Sequence, residues 1–153
     1  MNKYLKSLIA DNYYGFPVRT DVLANDLGFK IVPLKNTHNL KAFFEYKNKN
    51  TIHYNQNLTT SEIRVILALA IHLKENPFYS QKNIEISNQN IWDNSFYYHS
   101  ELLEAIEIVS PKESIDIVIH QMKIYSPVEI AKNCDVPIQL IMERLKQLKL
   151  LPN

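Results

Sequence analysis

The sequence predicts a single α+β domain, mainly helical, in which a small sheet of about three strands packs on a buried central helix and a helix-turn-helix-like pair closes the chain. Three observations predict it. From Ile63 to Leu73 every residue is apolar except Arg64 and His72, and a helix apolar nearly all round is a buried one. Leu40 to Tyr46 and Thr51 to Tyr54 are rich in aromatic and β-branched residues, and the polar run Lys47-Asn48-Lys49-Asn50 joins them, which is the pattern of a hairpin. Residues 126–149 have a helix, tight turn, helix rhythm. The 153 residues, 46% hydrophobic and 22% charged, suit one domain over 1–153.

The remaining elements follow in chain order. Residues 2–12 predict a first helix with Tyr4, Leu5, Leu8 and Ile9 along one side, broken by Tyr13-Tyr14-Gly15-Phe16-Pro17. A second helix over 18–27 leads to Gly28, the residue expected just past a helix end, and Phe29, Ile31 and Val32 then predict a strand. Thr59 and Glu62 form a T-x-x-E capping box in which the hydroxyl takes the amide of Glu62 and the carboxylate returns to the cap amide. Asn76-Pro77 ends the long helix, and residues 78–91 are the most loop-like stretch. Tyr97 to Val109 is an amphipathic helix stopped by Ser110-Pro111, and Lys112 to Lys123 is another. In the C-terminal pair, Ile130, Val136, Ile141 and Leu145 form the core.

Composition narrows the function. The 17 basic and 16 acidic side chains leave a formal charge of +1, so no whole-molecule field draws the chain to nucleic acid or to an anionic membrane. The single cysteine, Cys134, excludes an internal disulfide framework and fits a reducing compartment. Only Gly15 and Gly28 are glycine, which excludes glycine-rich phosphate loops. The short apolar run Leu8 to Ala10 is too brief for a signal peptide, and no stretch reaches the roughly 18 uninterrupted apolar residues of a membrane span. A cytoplasmic protein with no membrane partner is expected.

Taken in order, several segments resemble the ImmA/IrrE family of metallopeptidase domains. They are Phe16-Pro17 with Asp21-Val22-Leu23-Ala24 and Leu27-Gly28-Phe29, then Thr51-Ile52-His53-Tyr54-Asn55, then Arg64 entering the long helix. Ser100-Glu101-Leu102-Leu103 is similar to an apolar segment of the family, and Ile130-Ala131, Val136 and Arg144-Leu145 close the match. The resemblance implies a zinc endopeptidase fold whose chemistry sits on the long helix as HExxH, two histidines one turn apart with a glutamate base between them. Here Leu69 and Leu73 stand where the histidines belong and Ala70 where the glutamate belongs. With no metal to neutralise them, buried histidines and a carboxylate would cost several kcal/mol, which leucine and alanine avoid. The resemblance therefore implies a catalytically inactive relative with no cofactor, encoded by a phage or other mobile element, that engages a protein partner such as a transcriptional repressor.

Two other readings attach to named residues. An active enzyme would need relocated zinc ligands, for which His72, Glu75 and Asp93 are the candidates; a lone helix histidine is far more often hydrogen-bonded than ligating. A DNA-binding regulator would use residues 126–149, with Lys132, Arg144 and Lys146 as contacts. Glu129, Asp135 and Glu143 offset those charges, so phosphate attraction is weak and nucleic acid is the less favoured partner. The clusters Phe43-Phe44 and Tyr97-Tyr98-His99 are either core or a stacking surface.

Overall fold

The structure, a computed structural model, describes residues 1, 3–11, 14–35 and 39–151. Helices α1 (Lys3–Asp11) and α2 (Thr20–Asp26) come first, followed by strands β1 (Lys30–Pro33), β2 (Leu40–Glu45) and β3 (Thr51–Tyr54). The long helix α3 (Thr60–Glu75), strand β4 (Asn83–Ser87) and helix α4 (His99–Val109) form the middle of the chain. Helix α5 (Lys112–Asp116) runs into a π-helical turn over Ile117–Gln121, and α6 (Pro127–Cys134) and α7 (Ile138–Gln147) complete the C-terminal pair. No helix among the described residues is long and apolar enough to cross a membrane.

The sheet has the order β1-β3-β2-β4. The predicted hairpin is present: β2 and β3 are antiparallel, with Phe44 opposite Ile52, and β1 joins β3 in parallel. The fourth strand is a correction, since β4 lies in the stretch 78–91 read as loop and pairs antiparallel with β2. Its alternation is strict, with Ile84 and Ile86 buried and Asn83, Glu85 and Ser87 exposed. Two apolar residues in five are too few to announce a strand, yet enough to hold one once β2 supplies the ladder.

Ala42, Phe44, Ile52, Ile84 and Ile86 line the buried face of the sheet, and the core continues through α3, whose residues Val65 to Ile71 and Leu73 are all buried. Each buried valine, leucine or isoleucine contributes roughly 1.5–3 kcal/mol by leaving water, so the central helix holds the domain together. Tyr46, just past β2, reaches across to donate its hydroxyl to the carbonyl of Ala70 at 2.6 Å. α4 packs along α3, and α7 packs against α4. The expected core of the C-terminal pair is in place, with Ile130, Val136, Ile141 and Leu145 buried.

Several local expectations change. Leu5 of α1 is fully buried, but Tyr4 is 66% exposed and so lies off the packing face. Asn2 and Asn12, expected at the ends of the first helix, and Tyr13, expected to begin the break after it, lie outside the described residues. Gly28 follows α2 with φ +89°, a left-handed conformation that side chains avoid. The helix expected over 112–123 is α only to Asp116 and then widens into the π turn. At the start of α3 the Glu62 amide donates to Thr59 Oγ1 at 3.2 Å as predicted, but the Glu62 carboxylate pairs with Lys41 Nζ at 3.0 Å. That pairing draws it from the cap amide, because a half-buried cation is the stronger donor.

Candidate functional site

On α3 the three positions that the resemblance gives to metal chemistry point into the core. Leu69, Ala70 and Leu73 are each 0% exposed. Lys74 Nζ stands 5.3 Å from the centre of the Tyr46 ring, and burial raises the Tyr46 phenol well above its ordinary pKa. The hydroxyl is thus held as a neutral donor to the helix backbone. Two ligands at 69 and 73 and a base at 70 would face packed side chains, with no open position for a water.

The relocated set is not assembled either. His72 faces α4, where its Nε2 lies 2.9 Å from Glu104 Oε2. Burial lowers its pKa, outweighing the nearby Glu104 carboxylate that acts the other way. Asp93 sits in an exposed loop, and its Oδ1 accepts from the Ser95 amide at 3.0 Å, a bond that holds the carboxyl below its usual range. Glu75 ends α3. Among the described residues no three His, Cys, Asp or Glu side chains converge as a metal site, so His72, Glu75 and Asp93 do not form one.

In the C-terminal pair the three proposed nucleic-acid contacts divide. Lys132 pairs with Glu129 at 3.4 Å and Lys146 with Glu143 at 3.5 Å, both along exposed helix surface. Arg144 is corrected outright: it is 6% exposed and points inward, donating from Nε to the Ser110 carbonyl at 2.7 Å and from Nη1 to Gln147 Oε1 at 3.1 Å. A guanidinium so placed joins α7 to the end of α4 and is withheld from a phosphate. Cys134 is buried, which pushes its thiol up to about 11 and leaves it unreactive.

One feature escaped the sequence reading, and a second was read only in part. The first is a node at Arg64, which donates from Nη1 to the Val18 carbonyl and from Nη2 to Asp135 Oδ2 at 3.0 Å. Thr60 Oγ1 donates to the same Asp135 oxygen at 3.1 Å. Asp135 closes α6 in a left-handed conformation, φ 51°, which turns its carboxylate back toward α3. A cavity of about 210 Å³ lies beside the node, between Thr20, Ile31, Tyr54 and Leu67.

The second is an aromatic surface where the chain leaves α3 and enters α4. The rings of Phe78 and Tyr79 meet edge to face at 4.9 Å, as do Tyr97 and Tyr98 at 4.8 Å, and Tyr79 joins the pairs through Tyr98 at 5.6 Å. Lys82 Nζ lies 3.5 Å over the Phe78 ring. Phe78 is 62% and Tyr97 74% exposed, whereas Phe96 is buried beneath Tyr98. Of the clusters flagged in the sequence, Phe44 is core, Phe43 stacks on His53 across the sheet, and Tyr97 faces solvent. The contribution of Phe78 was hidden because its neighbours carry no periodicity. No protein-family model matches the chain, and no curated protein matches it.

Proposed function

We propose that this chain is a metallopeptidase-like protein without a metal centre that acts by binding another protein. One observation carries the reading: the positions that the ImmA/IrrE resemblance assigns to two histidines and a glutamate hold Leu69, Leu73 and Ala70, all fully buried. Zinc hydrolysis needs three protein ligands and an open place for the activated water, and these side chains offer no lone pair. The surface assigned to the partner is the aromatic cluster around Phe78 and Tyr97, since exposed aromatic rings are enriched at interfaces. The resemblance also supports a cytoplasmic setting in a phage or mobile element, with a transcriptional repressor as the partner.

Metal content tests the first half. Protein purified without a histidine tag and then exposed to excess zinc is expected to retain less than about a tenth of an equivalent by elemental analysis, where a three-ligand site would hold close to one. A tightly held equivalent would overturn the reading. For the second half, the chain is titrated with any repressor found encoded beside its gene. Phe78→Ala and Tyr97→Ala are each expected to weaken that association about tenfold or more. Their stability stays within about 0.5 kcal/mol, because both side chains are exposed.

A further inference from the structure

A cavity of about 680 Å³ lies between α1, the turn over 14–18, α5 and α7. Its walls include Ile9, Val18 and Ile117, and Arg144 lines its inner side. That volume and mixed lining are those of a small-molecule site, in which a few polar groups orient an otherwise apolar ligand.

Arg144 is the feature that asks for a ligand. A buried guanidinium normally faces a carboxylate, because desolvating a cation without a counter-charge is unfavourable. Here the two hydrogen bonds go to neutral acceptors, the Ser110 carbonyl and the Gln147 amide oxygen, and no carboxylate of the described residues forms an ion pair with it. Glu107 and Glu113 also border the cavity and act on Arg144 from beyond ion-pair distance. Lys6, on the opposite helix, and Lys112, which pairs with Asp116 at 2.7 Å, add further cations to the lining.

We infer that this cavity binds a small amphipathic monocarboxylate, its carboxylate on Arg144 and its hydrocarbon body against Ile9, Val18 and Ile117. A planar carboxylate matches the fork of a guanidinium. The two glutamates at the border disfavour a second negative charge, which selects a monocarboxylate over a phosphate. An aliphatic tail removes apolar wall from water, which an inorganic anion cannot do.

The test is titration of the full chain with octanoate, 1-octanol and inorganic phosphate, followed by calorimetry and by methyl NMR. Octanoate is expected to bind saturably at one site and to shift the methyl resonances of Ile9, Val18 and Ile117. Octanol should bind about tenfold more weakly and phosphate not at all. Arg144→Lys keeps the charge but loses the fork and should weaken octanoate about tenfold. Lys6→Glu, at an exposed position that tolerates substitution, should weaken it several-fold if Arg144→Lys fails to fold. Equal binding of octanoate and octanol, shifts confined to other methyl groups, or no saturation below about 10 mM, the weak limit for a ligand of about ten atoms, would each overturn the assignment.

Discussion

His72 sits between two opposing influences. Its ring is mostly buried, which favours the neutral form, while Glu104 at 2.9 Å favours the charged one, and burial prevails. The folded pKa therefore lies below the ordinary 6.5. The unfolded chain then takes up the proton first, so stability is full above the ordinary value and falls as pH drops toward the lower folded one. Urea unfolding at about pH 7.5 and 5.5 is expected to show the loss, and His72→Gln to remove part of it. An unchanged pH dependence in the variant would assign the acid sensitivity to other groups. The sequence marked His72 as the one histidine on the long helix, but its partner comes from a helix nearly thirty residues on, and no local spacing reveals such a pair.

At the scale of elements, α3 was readable because almost every one of its positions between Ile63 and Leu73 is apolar, a pattern with one physical solution. β4 was not, because its two isoleucines signal a strand only after β2 is in place to pair with them. The π turn after α5 was equally hidden, since Ile117-Val118-Ile119 is as suited to an ordinary helix. The same apolar packing that made α3 legible makes it intolerant. Ala70→Glu places a carboxylate at a position with no exposure, beside the Tyr46 hydroxyl, and is expected to destabilise the domain by about 3 kcal/mol or more. Denaturant unfolding measures it. A loss under 1 kcal/mol would mean that the helix can rotate or admit water, and would reopen position 70 to chemistry.

For the molecule as a whole, Arg64 is the junction. It joins the first residues of the long helix to Val18, 46 positions earlier, and to Asp135, 71 positions later. The sequence placed Arg64 at the entrance of α3 but could not name either partner, because both depend on how distant segments converge. Arg64→Met keeps the stem and removes the guanidinium, taking one donor from the Val18 carbonyl and leaving the Asp135 carboxylate with Thr60. It is expected to cost about 3 kcal/mol by urea unfolding, with Asp135→Asn, which retains an acceptor, costing about 1. Equal losses would indicate that the charge of the pair outweighs its hydrogen bonds. The full burial of Leu69, Ala70 and Leu73 has a consequence for how such a chain can change. An HExxH zinc site there requires two histidine ligands and a glutamate base together, with a third ligand from elsewhere, and each single replacement loses core packing before any metal is held. A route to zinc chemistry at these positions therefore climbs through unstable intermediates, and drift there runs toward other apolar residues, so the packing of α3 is self-reinforcing.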